Sequence, residues 1–278
     1  MVSDLARTAA RRALYTLSPS TWSRRELGLD LDPWQRAMTD APAGSRVIAL
    51  THRQAGKTSA ASVGVAHTMI WRGPGTTNLI LAPTQRQSAE LIRRLRGRLI
   101  DSGEKLDVDN AFSVELQNGS RCLGLPGADD AAIRGLSIDG DLVIDEAARV
   151  SDALYDAARP MMIRHSAVAR LILLSTAWAK MGFFYRVWTE GDPHDWLKIE
   201  ARVADCRHIS AADLEKERRA MSASTFAREY QNHFDSMESR FFDADAIAAA
   251  FSGGFGPTPQ IEEDPVVSVG SVFGKVFP

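Results

Sequence analysis

Cysteine is scarce in this sequence, and histidine shows no metal-binding pattern. Only Cys122 and Cys206 occur among the 278 residues, far apart and without the short spacing of metal ligands. We therefore expect two reduced structural thiols, and neither a disulfide nor a zinc site. The six histidines also lack paired ligand spacing, so none of them is assigned to a metal.

Long apolar runs are missing as well. No segment approaches the roughly 20 consecutive apolar residues that a membrane-spanning helix needs, and the basic N-terminus lacks the apolar core of a secretory signal. The formal net charge is −2, so any surface that binds a polyanion must be local. We expect a cytosolic protein with one large α/β domain or one such domain with small appendages.

The most informative pattern follows the first apolar run. Residues 47–50 (VIAL) are typical of a strand, and residues 51–58 (THRQAGKT) lead from it into a helix-compatible stretch. Gly56 permits the tight turn by which successive N–H groups and a helix N-terminus face a polyanion. Lys57 would then reach the β- and γ-phosphates, and the Thr58 hydroxyl would bind Mg²⁺. The pattern predicts a nucleoside-triphosphate site, although Thr51 stands where the loop usually has its first glycine.

A second apolar run ends in two acids. Residues 142–144 (LVI) lead directly into Asp145 and Glu146. An apolar strand in this position would deliver Asp145 to the metal and Glu146 to the attacking water. The phosphate loop and this acidic strand end together predict ATP hydrolysis with Mg²⁺.

Alternating strands and helices predict the fold class. The short, continuously apolar strand runs are typical of parallel strands that are covered on both faces. We predict an α/β P-loop NTPase of the helicase- and RecA-like (ASCE) type, with a mainly parallel central sheet flanked by helices and the site at the strands' carboxyl ends. The expected elements are strands at 47–50, 78–82, 142–144 and 171–174, helices at 58–71 and 85–99, a hairpin at 114–125, and a long helical region at 210–233.

The order of the motifs resembles the ATPase domain of the large terminase subunit of tailed double-stranded DNA bacteriophages and prophages. In that family the first glycine of the loop is often replaced, and an arginine and a glutamine precede the GK[ST] sequence, as Arg53 and Gln54 do here. The resemblance covers about residues 31–245. Its other segments, in chain order, are 32–35 (DPWQ), 79–85 (LILAPTQ), 133–135 (IRG), 145–150 (DEAARV), 173–177 (LLSTA), 182–185 (GFFY) and 226–230 (FAREY) with Phe234.

This resemblance implies an ATP-hydrolysing motor domain that packages double-stranded DNA into procapsids, with ATP and Mg²⁺ as cofactors. The implied partners are the portal protein, the small terminase subunit and further copies in a ring on the procapsid, with no membrane, in the cytoplasm of the bacterial host. We predict three regions: a helical arm at 1–30, from its Ala/Arg-rich, helix-compatible sequence, and, from the resemblance, the ATPase domain at 31–245 and at 246–278 a linker with the vestige of a missing RNase H-like nuclease domain.

The resemblance and the motifs together assign residue roles. Glu146, Arg53 and Arg134 are the predicted catalytic residues, and Thr58 and Asp145 are the predicted metal ligands. The predicted nucleotide contacts are Trp34, Gln35, Thr51, His52, Arg53, Gln54, Ala55, Gly56, Lys57, Thr58, Ser59 and Thr176.

Several of these residues have a purely structural explanation as well. Arg53 is either a γ-phosphate sensor or a loop arginine that pairs with a carboxylate. Arg134 is either a finger that reaches a neighbouring subunit's nucleotide or a capping or sheet-edge arginine. Residues 34–35 could simply pack, and residues 175–176 could cap a helix. The arginines of the 85–99 helix favour a solvated face over a DNA-binding one.

Two other functions remain open at this stage. A helicase-like ATPase that acts on nucleic acid outside packaging would separate strands when DNA stimulates it. A packaging scaffold that binds nucleotide without hydrolysing it would show no turnover, which the intact Lys57, Thr58, Asp145 and Glu146 argue against.

The tail departs from the terminase pattern. Complete large terminases continue into a nuclease domain whose first strand carries a metal-binding aspartate in a Gly-x-Asp-x-Gly-like pattern. Residues 266–274 (VVSVGSVFG) resemble that strand, but Val272 occupies the position of the aspartate, and the six residues after it contain no carboxylate. A valine side chain cannot bind Mg²⁺.

We therefore expect this chain not to cleave supercoiled plasmid in the presence of Mn²⁺, since such cleavage needs several carboxylates around two metal ions. ATP turnover does not need these nuclease carboxylates, so it should be unaffected by their absence. Gel electrophoresis of plasmid incubated with highly purified protein tests the expectation. Linearisation that chelation abolishes, with contaminating nuclease excluded, would contradict it.

Overall fold

An eight-stranded sheet organises the residues that this computed structural model describes, 2–126 and 135–235. The strand order is β3-β4-β5-β2-β6-β7-β1-β8. Neighbouring strands from β5 through to β8 are parallel, and β4 is antiparallel to both β3 and β5. The strands are β1 Arg46–Thr51, β2 Thr77–Ala82, β3 Leu106–Asn110, β4 Ser113–Leu116, β5 Arg121–Pro126, β6 Asp141–Asp145, β7 Arg170–Ser175 and β8 Leu197–Ala201. The predicted α/β fold with a mainly parallel sheet is confirmed.

Helices cover both faces of this sheet. Alternate side chains of β1 face opposite sides of the sheet and are buried on both. Val47 and Ala49 belong to one apolar cluster, and Ile48 and Leu50 belong to the other. The first cluster includes buried residues of α1–α5, and the second includes buried residues of α6 and α7. The helices are α1 Val2–Leu17, α2 Pro19–Glu26, α3 Pro33–Thr39, α4 Lys57–Trp71, α5 Gln85–Asp101, α6 Asp152–Ala158, α7 Gly182–Glu190, α8 Ala211–Ala220 and α9 Ala223–Tyr230, with 3-10 turns at Ala147–Arg149, Arg159–His165 and Val203–Asp205.

Helix α5 has the predicted amphipathic character. Leu91, Leu95 and Leu99 are fully buried. On the opposite side, Arg93 and Arg94 both bond the carboxylate of Glu90, at 2.8 and 2.9 Å. Local ion pairs on a solvated face therefore account for these two arginines.

The region 210–233 differs from the expected long helix. It forms two helices, α8 and α9, because the chain is extended at Met221 and Ser222. The Ser222 hydroxyl accepts a hydrogen bond from the Thr225 N–H at 3.2 Å and so caps a new helix. The Ser210 hydroxyl caps α8 in the same way, accepting a hydrogen bond from the Asp213 N–H at 3.1 Å.

Two strands have no counterpart among the predicted elements, namely β3 and β8. Both lie at the edges of the sheet, and charged side chains interrupt their sequences (LDVDN and LKIEA). Edge strands are half solvated, so they lack the continuous apolar run that marked the central strands.

The N-terminal helices pack onto the rest of the fold. Tyr15 and Trp22 are buried in the apolar cluster that also contains residues of α4. Burial lowers the pKa of His67 to about 4, so its neutral ring donates Nε2–H to the Tyr15 carbonyl at 2.7 Å. The arm predicted at 1–30 is thus tied to α4, while its boundary as a separate region stays a prediction.

Arg134 and the predicted linker and nuclease vestige at 246–278 lie outside the described residues. No helix in the described ranges is long and apolar enough to cross a bilayer.

A buried ion pair fixes the start of β6 against β7. Arg170 and Asp141 are 1 % and 0 % exposed, and the guanidinium bonds both carboxylate oxygens at 2.8 and 2.7 Å. Arg170 also donates to the Thr39 carbonyl, and Thr68 donates to Asp141. Burial by itself would raise the pKa of Asp141, but the charge and hydrogen bonds of Arg170 outweigh it and hold that pKa below its usual value.

Asp141→Asn should destabilise the fold by about 3–5 kcal/mol, because it leaves the buried Arg170 charge without its partner. Since the folded-state pKa of Asp141 is lowered, its stabilisation is complete at neutral pH and is lost only as the pH falls below the ordinary aspartate range. Urea unfolding at pH 7 measures the effect. The double change Asp141→Asn with Arg170→Met serves as the control and should cost less than Asp141→Asn alone.

Candidate active site

Strand order brings the two predicted motifs together. β7 pairs with β1 on one side and with β6 on the other, with Leu50 opposite Ser175 and Asp145 opposite Leu174. The parallel strands therefore end at one edge, where the Thr51 hydroxyl donates to the Ser175 carbonyl at 3.3 Å. The phosphate loop and the two acids meet there because β7 pairs with both β1 and β6.

The phosphate loop has the turn that an anion-binding helix start requires. Gln54 and Gly56 both have positive φ, 61° and 85°, and α4 begins directly afterwards at Lys57. Within the described part of the chain, no side chain caps α4 at its N-terminus. The N–H groups of its first turn are thus left to face a ligand, as in phosphate-binding loops.

Gln35 holds the loop from the side of α3. Its Oε1 accepts the Asp32 N–H at 2.9 Å, and its Nε2 donates to the Ala55 carbonyl at 3.1 Å. A Cβ atom at Gly56 would lie 2.7 Å from the same Nε2. Trp34 is 4 % exposed within the apolar core. These contacts give both residues a packing and bracing role, and their predicted nucleotide contact stays a prediction.

Residues after β8 hold the loop from another side. Burial lowers the pKa of His52 and raises the pKa of Cys206 to about 11, so both side chains are neutral. His52 then donates Nδ1–H to the Arg53 carbonyl at 2.7 Å, and the Cys206 thiol lies 3.0 Å from Nε2, where it can donate. His208 Nε2 lies 3.0 Å from the Gln54 carbonyl. The expectation of a reduced structural thiol agrees with this contact.

Two carboxylates, those of Asp145 and Glu146, lie near the Lys57 ammonium at the end of β6. Asp145 is 6 % exposed, and burial, followed by the charge of Glu146, raises its pKa to about 6. Lys57 Nζ lies 3.3 Å from Glu146 Oε1. Glu146 has a left-handed backbone with φ 49°, and its buried Oε2 has no hydrogen-bond partner among the described residues.

This donor set suits a divalent cation brought by a phosphate ligand. Two adjacent carboxylates face one ammonium group, and hard oxygen donors are what Mg²⁺ prefers. The half-buried Thr58 hydroxyl on the first turn of α4 and the Asp145 carboxylate remain the residues that would hold it. In the described ranges, no cluster of three His, Cys, Asp or Glu side chains is arranged as a metal site on its own.

The remaining predicted residues lie at or beside this edge. Arg53 is exposed, and its Nη1 lies 3.7 Å from Glu229. The predicted carboxylate pair is therefore present, while a sensor role stays a prediction. Thr176 is 4 % exposed at the end of β7, and the Ser59 hydroxyl accepts from Arg98 at 3.3 Å.

Sequence reasoning missed the roles of residues that reach the phosphate loop from distant segments. Cys206, His208 and Glu229 contact the loop from other elements. Glu229 at least lies within the 226–230 segment that resembled the family. Cys206 and His208 left no sequence signal, because their role depends on where the chain after β8 runs.

Known proteins match both the sequence and the fold of this chain. The large terminase subunit of Escherichia phage T5 is 26 % identical over 178 residues, which cover 61 % of this chain and 40 % of that protein. The large terminase ATPase domain of Thermus phage P74-26 superposes with a TM-score of 0.66 at 21 % identity, covering 79 % of this chain and 100 % of that one. The large terminase of another thermophilic bacteriophage, solved in complex with ADP, gives 0.61 at 15 % identity over 73 % of this chain and 53 % of its own.

This chain has the fold of a large-terminase ATPase domain. The resemblance inferred from the motifs is thereby confirmed, although no protein-family model matches the chain. The match spans less than half of the length of the T5 subunit.

Gly56→Ala should abolish measurable nucleotide binding, because the new Cβ meets Gln35 and the positive φ disfavours an L side chain. Gly28→Ala is the matched control, since Gly28 also has a positive φ, 66°, but nothing lies within 4 Å of an added Cβ. Titration with a fluorescent ATP analogue compares the two. Equal affinities for the two variants would show that the Gly56 turn is not needed.

Proposed function

We propose that this chain is the ATP-hydrolysing motor domain of a phage large terminase, which drives double-stranded DNA into procapsids. The observation that carries the proposal is the approach of Lys57 to Glu146 across the carboxyl edge of the sheet, at 3.3 Å. A phosphate-binding lysine and a carboxylate base at one strand edge are the parts that NTP hydrolysis needs. The terminase of the thermophilic bacteriophage that was solved with ADP was also solved with ATP-γ-S, which supports a nucleotide as the ligand.

Each residue has a distinct part in this proposal. The uncapped N–H groups of α4 and the Lys57 ammonium bind the phosphates. When the Lys57 ammonium binds a triphosphate, it no longer pairs with Glu146. Glu146 can then accept a proton from the attacking water. Thr58 and Asp145 would hold Mg²⁺, which would neutralise charge on the phosphates.

Further groups would complete catalysis. Arg53 lies in the loop beside the expected γ-phosphate, and Arg134 would act on a neighbouring subunit's nucleotide in an assembled ring. An arginine finger of this kind accelerates hydrolysis by about 10³–10⁵-fold in other NTPases. The isolated chain should therefore turn over slowly.

We further propose that hydrolysis is coupled to DNA movement and that the chain acts in the host cytoplasm. Its partners there would be the portal protein, the small terminase subunit and further copies in a ring. The likeness to the T5 subunit and to the terminase ATPase domains supports this part of the proposal.

A helicase-like ATPase is the alternative, and unwinding of forked DNA would favour it. A scaffold without turnover is disfavoured because Lys57, Asp145 and Glu146 are all in place.

Lys57→Ala should remove ATP binding, because the triphosphate loses its buried counter-charge. Glu146→Gln should bind ATP but lose turnover by about 10²-fold or more, since an amide keeps the shape and cannot act as a base. Calorimetry gives the affinity and phosphate release gives the rate.

Matched controls are Lys216→Ala and Glu190→Gln, since both residues are exposed on helices away from the loop. Hydrolysis at the native rate by Glu146→Gln would remove its assigned role. A parent protein that binds no nucleotide would overturn the proposed function itself.

A further inference from the structure

Helix α5 sends one arginine side chain to the first turn of α4. Arg98 Nη2 donates to Ser59 Oγ at 3.3 Å, and the two residues are 39 positions apart in the chain. Ser59 directly follows Lys57 and Thr58 on the helix that begins at the phosphate loop. The contact therefore attaches the last turn of α5 to the candidate nucleotide site.

Arg98 lacks the partner that neighbouring arginines of α5 have. Arg93 and Arg94 both bond Glu90, whereas the Arg98 guanidinium forms no ion pair with any described residue. Its Nε is buried and has no hydrogen-bond partner within the described ranges. Burial lowers the pKa of Arg98, although the group stays protonated at neutral pH because arginine normally titrates far above it. Arg98 is thus a partly buried cation without a carboxylate in contact, which is costly for the fold.

The Ser59 hydroxyl has a hydrogen that is not used within the fold. A serine hydroxyl carries one hydrogen to donate and two lone pairs that accept. The Arg98 guanidinium can only donate, so it binds a lone pair and the Ser59 hydrogen points away from it. None of the residues that the structure describes accepts that hydrogen. The first turn of α4 therefore presents a side-chain donor in addition to its uncapped N–H groups.

The place of this donor suits the phosphates that ADP and ATP share. In phosphate-binding loops the lysine reaches the β- and γ-phosphates, and the loop backbone surrounds the α- and β-phosphates. Lys57 and Thr58 would serve the outer phosphates and Mg²⁺, which leaves Ser59, the next residue on the same turn, for the inner ones. A polyphosphate also supplies the negative charge that Arg98 lacks.

We propose that Arg98 is a positioning residue that orients the Ser59 hydroxyl as a donor to the inner phosphates of a bound nucleotide. The negative charge of those phosphates offsets the unpaired guanidinium in the nucleotide-bound state. The proposal rests on the proposed ATPase function, and it concerns binding of the nucleotide and not the chemical step. Binding of ADP and of ATP should therefore depend on Arg98 to the same extent.

The test uses the full chain and the change Arg98→Met, which keeps an apolar stem and removes the donor and the charge. Affinities for ADP and for ATP-γ-S should both fall about threefold to tenfold, the range of one hydrogen bond. The KM for ATP should rise by the same factor while kcat stays within about twofold, because the lost contact is made equally in the ground and transition states. Arg93→Met is the matched control, since Arg93 lies on the same helix but pairs with Glu90 at the surface, and it should leave these values as in the parent.

Urea unfolding without nucleotide separates positioning from structural bracing. Arg98→Met removes an uncompensated, partly buried charge, so the free energy of unfolding should stay the same or rise. A structural brace would instead lose stability in this variant and leave nucleotide affinity unchanged. Arg98→Lys keeps a charge and a donor, so it should recover most of the affinity that Arg98→Met loses.

Ser59→Ala approaches the contact from α4, so it keeps the proposal testable if Arg98→Met fails to fold. It should weaken both nucleotides to a similar extent, and the double variant should lose no more affinity than Arg98→Met alone. Additive losses, a Ser59→Ala affinity equal to that of the parent, or an Arg98→Met affinity equal to that of Arg93→Met would overturn the positioning role. In each case nucleotide binding and turnover by the parent protein would leave the proposed function standing.

Discussion

The parallel ladder through β7 is the constraint on which the rest of the structure depends. β7 lies between β1 and β6 and holds the last residue of each at the same edge of the sheet. The phosphate loop follows β1, and the two acids end β6, although almost a hundred residues separate them in the chain. The buried Arg170–Asp141 pair fixes the opposite ends of β7 and β6, so a slip in their register would also break an ion pair that is costly to leave open.

The site at that edge contains several features that are energetically costly in a folded protein. Asp145 is a buried carboxylate whose pKa is raised to about 6 by burial and by Glu146. Glu146 has a buried oxygen that accepts no hydrogen bond from any residue the structure describes. Gln54 and Glu146 both adopt left-handed backbone conformations that non-glycine residues rarely use. Such costs concentrate where function needs unsatisfied groups, and here the proposed cation and polyphosphate would use them.

Prediction from the sequence succeeded where a single element carries its own signal. The apolar runs of β1, β2, β6 and β7 and the leucine stripe of α5 are local patterns that report burial on one or both faces. It failed at β3 and β8, whose edge positions leave no continuous apolar run, and at the break between α8 and α9. There Ser222 offers its hydroxyl to the backbone of a new helix, and a local cap outweighed the continuing helical pattern.

The sequence by itself determined the fold class and predicted the reacting groups, because GKT after an apolar strand and DE at the end of another are local patterns. It also determined the likeness to large terminases, since the order of motifs along the chain needs no coordinates. Only the tertiary structure decided what holds the loop: Gln35 on Ala55, Cys206 on His52, and Glu229 on Arg53. These pairs join residues 20, 154 and about 176 positions apart. Contacts at such separations follow from how the strands are ordered in the sheet, and a linear pattern does not encode that order.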